Sequence, residues 1–125
     1  MTKRPFLPEQ RADVVYLGIG ALGLQDDSFV EDYWLKVVRA TGARRVILVH
    51  WDDFFHGLDK PLRPLPYPGD RLPDTMRRLL QCAATDGVDV VLPVPWQTTD
   101  PFAGMSAEPA PPRLAAHPCQ SPLRK

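Results

Sequence analysis

The side chains best placed to do chemistry follow one short apolar run. Val46, Ile47, Leu48 and Val49 lead without interruption into His50, and Trp51, Asp52, Asp53, Phe54, Phe55 and His56 come next. A short apolar run bounded by polar residues reads as a strand buried on both faces. His50 then stands at the carboxyl end of that strand, which is where open α/β sheets bind ligands and metals. A histidine there can ligate a metal through a neutral imidazole nitrogen, or it can simply hydrogen-bond at a strand end. Spacing alone leaves both readings open. Asp52, Asp53 and His56 are the nearest companions, and either aspartate could orient a ligating imidazole. A catalytic zinc usually takes three protein ligands and keeps one position open. His50 and His56 lack the i, i+4 spacing of a helical ligand pair, so this loop alone does not complete a site. Trp51, Phe54 and Phe55 could wall a pocket or pack the loop onto the core.

Gly18-x-Gly20-x-x-Gly23 has the spacing of a dinucleotide fingerprint and lies between a candidate strand and a candidate helix. Three details argue against that use. Gly18 falls inside the apolar run, Gly23 precedes the expected helix cap at Ser28 by a whole turn, and Asp26 and Asp27 would face a pyrophosphate with like charge. Cys82 reads as a small core residue. His117 and Cys119 sit in the tail with no other ligand nearby. With two cysteines and no Cys-x-x-Cys, a reducing cytoplasm is the default expectation.

These residues need elements to position them. Asp13 to Ile19 is a second buried strand. Ser28 and Glu31 fit a capping box, and Val30, Tyr33, Trp34, Val37 and Val38 fall on one face of the helix that follows. Gly42 ends that helix, and the central strand covers 45–50. A proline-rich loop over roughly 51–73 leads to a second helix, predicted over 75–86 with Asp74 as its cap and Met76, Leu79, Leu80 and Ala83 as its stripe. Gly87 ends it, and Val88 to Leu92 forms a third strand. The order β-α-β-α-β implies α/β architecture with parallel pairing. Beyond about residue 102 the chain is Ala, Pro, Gly and Arg. It reads as a disordered proline-rich tail over 103–125 after a domain over 1–102.

Composition narrows the function classes. The 125 residues carry 15 basic and 15 acidic side chains, so no electrostatic footprint points to nucleic acid. No apolar run approaches a membrane span, and the basic start of the chain lacks the apolar stretch of a signal peptide. Three strands with two helices leave sheet edges bare, so the core looks like part of something larger.

With those residues in view, the chain resembles the C-terminal part of a metallo-β-lactamase-fold hydrolase. It is most similar to the branch of L-ascorbate-6-phosphate lactonase-like and N-acylphosphatidylethanolamine phospholipase D-like proteins. The resemblance rests on Ala12-Asp13-Val14-Val15-Tyr16-Leu17-Gly18-Ile19-Gly20, on Arg45-Val46-Ile47-Leu48-Val49-His50-Trp51-Asp52-Asp53-Phe54, and on the helix with Tyr33-Trp34 that joins them. It covers about residues 5–102. It implies a partial layer of an αββα fold, with His50 as the last metal ligand and zinc or another divalent metal as cofactor. It also implies hydrolysis of an ester, lactone or phosphodiester by a metal-bound hydroxide. The His-x-His-x-Asp-His signature that supplies the family's other ligands is absent, so the chain is expected to be inactive alone. That makes it a remnant, a mis-started frame or one half of a split protein. Its expected partner is an N-terminal half or a second copy of itself. Two rival readings stand beside this one: a non-catalytic module that docks through its sheet edge and proline-rich segments, and a small nucleotide-binding α/β protein.

Overall fold

The computed structural model describes residues 10–105 and Cys119. Five elements carry the fold: β1 (Val14–Gly18), α1 (Asp27–Trp34), β2 (Arg45–Val49), α2 (Leu72–Asp86) and β3 (Asp89–Val91). The three strands form one parallel sheet in the order β1-β2-β3. The chain is therefore α/β with a small parallel sheet and two principal helices, and β2 is the central strand. Its Val46, Ile47 and Leu48 are all buried, which is why that run is apolar without alternation.

Both helices pack on one face of the sheet. Val30, Trp34 and Val38 from the first helix meet Leu79, Cys82 and Ala83 from α2 over Leu17, Val46 and Leu48 of the strands. Val30, Trp34 and Val38 belong to the stripe expected from spacing, and all three are buried. Each large side chain buried in this way contributes on the order of 2 kcal/mol.

The helix boundaries differ from expectation for reasons of local hydrogen bonding. Asp26, not Ser28, caps α1. It sits in extended backbone, and its Oδ1 accepts from the Phe29 amide at 2.9 Å and from the Ser28 hydroxyl at 3.0 Å. Ser28 donates to the cap instead of being it. After Trp34 the helix widens into a π-turn over Leu35–Arg39, with the Ala40 amide donating to Leu35 O at 2.9 Å. The Thr41 hydroxyl closes that end on the carbonyls of Val37 and Val38, and Gly42 follows at φ 75°. In α2, Asp74 lies inside the first turn and does not cap it. The helix starts at Leu72, with Pro73 where a missing N–H costs nothing. Gly87 ends it at φ 67°, as the sequence indicates.

One polar cluster is sealed inside. The Asp86 carboxylate accepts from Arg39 Nε at 2.9 Å and from Trp34 Nε1 at 2.8 Å, and both ends of the ion pair are 2 % exposed. It ties the end of the first helix to the end of α2. Removing one partner of such a pair typically costs about 3–5 kcal/mol, because the other charge stays buried.

The cysteines depart from the sequence expectation. Cys82 is a core residue, as read, but it is bonded to Cys119, 37 positions away. Cys119 is buried and stands near Arg39. Most of the expected disordered tail lies outside the described residues. Of its described part, Met105 closes a turn on Phe102 O, and Cys119 is fixed to α2. No described helix is long and apolar enough to cross a membrane.

Candidate functional site

His50 stands immediately after β2, at the mouth of the central strand. Its backbone is left-handed at φ 62°, a conformation uncommon for residues with a side chain, though histidine is enriched in it. The turn leaves the residue exposed. Two glycines make room around it. A Cβ on Gly18 would lie 3.3 Å from His50 Cδ2, and one on Gly20 would lie 3.0 Å from the His50 carbonyl oxygen. Tyr33 supports the same corner by donating its hydroxyl to Gly18 O at 2.7 Å. Burial raises the pKa of that phenol above its ordinary 10.0, so it remains a neutral donor across the physiological range.

The third glycine of the apparent fingerprint has a packing role too. A Cβ on Gly23 would sit 2.1 Å from Arg71 O, so only glycine lets the β1–α1 loop meet the start of α2. Beside it, the buried Asp70 accepts from the Ala21 amide at 2.9 Å. The N-terminus of α1, where a pyrophosphate would bind, is already taken by the Asp26 carboxylate. The Phe29 amide and the Ser28 hydroxyl hold the pKa of that carboxyl below its ordinary value.

Of the two acids after His50, Asp53 has its carboxylate engaged within the loop. Asp53 is buried and faces Arg63: Oδ2 accepts from Nε at 3.1 Å and from Nη2 at 2.9 Å. Its Oδ1 accepts from the Phe55 amide at 3.0 Å. Its own N–H donates to Arg63 O, and its carbonyl accepts from the His56 amide. Desolvation pushes the Asp53 pKa up, but the Arg63 and Phe55 hydrogen bonds and the nearby cationic charge outweigh it and hold it below 3.8. Asp53 is therefore a staple for the 50–71 loop. Asp52 forms an isolated antiparallel bridge with Pro64. Sequence reading missed Arg63, because a pairing across a proline-rich loop leaves no periodic signal.

The aromatics divide. Trp51 packs against the core, whereas Phe54 and Phe55 are 73 % and 80 % exposed, with ring centroids 4.4 Å apart. His56 is half-buried. Among the described residues, no three His, Cys, Asp or Glu side chains come together as a metal-binding group. The donors present thus do not fit a three-ligand zinc centre: His50 is exposed, and both oxygens of the Asp53 carboxylate are already engaged. No family model, curated protein or solved structure matches the chain.

Proposed function

We propose that this chain is the C-terminal part of a metallo-β-lactamase-fold, metal-dependent hydrolase, contributing one ligand position and lacking the rest of the centre. The observation that carries the reading is His50, presented to solvent at the carboxyl end of the central parallel strand. The helix bearing Tyr33 and Trp34 connects β1 to β2, the arrangement the resemblance implies. The helices cover one face of the sheet, and a second layer on the other would complete an αββα sandwich. Zinc or a similar divalent ion would supply a hydroxide nucleophile in the intact protein. No hydrolytic step is assigned to this chain alone, because its own donors do not make that centre.

The test is reconstitution. Alone, the purified chain should show no chelator-sensitive esterase, lactonase or phosphodiesterase turnover. Mixed with the N-terminal half of a related hydrolase, it should bind that half and gain metal-dependent turnover that His50→Ala removes. Robust turnover by the chain alone, or a bound half that gains nothing from His50, would refute the reading.

A specific observation favours a second reading, a non-catalytic interaction module. Phe54, Phe55 and Trp96 are at least 73 % exposed, and apolar side chains displayed this way favour association with a partner or a second copy. Such a module would pull down a partner equally well with His50→Ala.

A further inference from the structure

Two cavities adjoin at the start of α2. One, of about 300 Å³, is walled by Pro64, Leu65, Pro66, Leu72 and Pro73. The other, of about 330 Å³, is lined by Leu24, Gln25 and Arg78. Tyr67, Arg71 and Asp74 belong to both linings, so the spaces meet at those three side chains. One chamber is apolar and the other carries charge, and each is of a size that holds part of a small molecule.

Arg71 is the group that selects a ligand. Its guanidinium stacks on the Tyr67 ring, 4.3 Å from the centroid, which holds the plane of the fork. The side chain is 52 % exposed, so a ligand can reach it. Its charge partner is Asp74, but Nη1 and Oδ2 are 3.8 Å apart, beyond hydrogen-bond distance. No hydrogen bond to a described residue takes up the guanidinium donors. Arg78 adds a second positive charge, held in place by Asp27 at 2.9 Å and by donation to Gln25 O.

The neighbouring acids leave the Arg71 fork open. Asp70 spends one oxygen on the Ala21 amide and the other on the Arg71 amide. Asp74 is shared with Arg77 at 3.7 Å, and Asp27 faces Arg78. Two arginines and one aspartate line the polar chamber, an excess of one positive charge. A planar, singly charged carboxylate matches both that excess and the geometry of a free guanidinium fork.

We propose that these cavities bind a small carboxylate with an apolar body of about nine carbons. The carboxylate accepts from Arg71 in the polar chamber, and the body lies past Tyr67 among the prolines and leucines of the other. His50 lines neither chamber, so the proposal does not rest on the hydrolase reading.

The full chain would be titrated near neutral pH with 4-phenylbutyrate, with 4-phenylbutyramide and with butyrate, following backbone amide shifts by NMR. With 4-phenylbutyrate, saturable shifts should appear at Leu24, Gln25, Leu65 and Asp74, with a Kd on the order of hundreds of micromolar. 4-Phenylbutyramide keeps the body without the charge and should bind about tenfold more weakly or not at all. Butyrate keeps the head without the ring and should weaken to a similar extent. Arg71→Gln should cost 4-phenylbutyrate about tenfold in affinity, whereas Asp74→Asn, which removes the competing carboxylate, should tighten it by about threefold. Unchanged amide dispersion at Val30 and Val38 would show that each variant folds. If Arg71→Gln does not fold, 4-phenylbutyramide still tests the head group and butyrate the body. 4-Phenylbutyramide binding as tightly as the carboxylate, a folded Arg71→Gln without effect, shifts centred on Phe54 and Phe55, or no saturable shift up to about 5 mM would overturn the proposal.

Discussion

Reducing the bond between Cys82 and Cys119 should destabilise the fold by about 4 kcal/mol. The magnitude follows from the length of chain the bond closes. With the two cysteines 37 positions apart, the chain-entropy relation removes about 13 cal/mol/K from the unfolded state, or close to 4 kcal/mol at 25 °C. For an ordered core of about a hundred residues, each kcal/mol moves the melting temperature by roughly 4 °C, so reduction should lower it by about 15 °C. The assay is a pair of thermal melts by circular dichroism, one oxidised and one in excess reductant. A control double variant, Cys82→Ala with Cys119→Ala, should melt near the reduced value and be insensitive to reductant. Thiol counting completes it: the oxidised protein, unfolded without reductant, should take up no alkylating reagent. A shift below about 3 °C, or two reactive thiols in the oxidised protein, would refute the view that this bond pins the distant cysteine to α2.

Further outcomes follow from single contacts. Gly23→Ala should cost about 2–3 kcal/mol in urea unfolding, because its Cβ would lie 2.1 Å from Arg71 O and the β1–α1 loop would have to move; a change under about 0.5 kcal/mol would show that the loop yields freely. At the left-handed position of His50, His50→Gly should stay within about 1 kcal/mol of the parent while His50→Val loses roughly 1–2 kcal/mol, and the reverse order would mean that the imidazole holds the fold together. Asp53 has a folded-state pKa below its ordinary value of 3.8. Its stabilising effect is therefore complete above that value and is lost as pH falls through the lowered one. The urea midpoint should drop more steeply below pH 3.8 for the parent than for Asp53→Asn; parallel curves would refute the assignment of Asp53 as the staple of the loop.

The sequence displayed the layer more clearly than the site. Apolar runs around Val15–Leu17 and Val46–Val49, with the stripe of Val30, Trp34 and Val38, carry the fold, because burial on a strand or a helix face imposes a period that composition reveals. Gly42 and Gly87 were legible as helix ends because left-handed backbone selects glycine. The capping residues were less so: Asp26 and Ser28 are both good caps by type, and only geometry shows which carboxylate or hydroxyl reaches the Phe29 amide. The disulfide had no local signal at all, since its partners are brought together by the fold. Asp53 stands out in the sequence because an acid beside a histidine fits metal chemistry. The Arg63 that claims it lies across an irregular loop where no spacing rule operates.

Strand order in the sheet repeats strand order in the chain, and this bears on how the protein is made. During synthesis, β1 and β2 can pair as soon as Val49 has left the ribosome, and β3 then adds to a ladder already in place. Until α2 and β3 emerge, the far edge of β2 is open, and an open edge accepts any suitable strand. The long stretch from His50 to Arg71 separates the pieces, so the α2–β3 unit of one nascent chain has the reach to dock on the β1–β2 pair of a neighbour. On crowded polysomes the last segment is thus exchangeable between copies, and a reciprocally swapped dimer is the misassembled species this topology makes accessible.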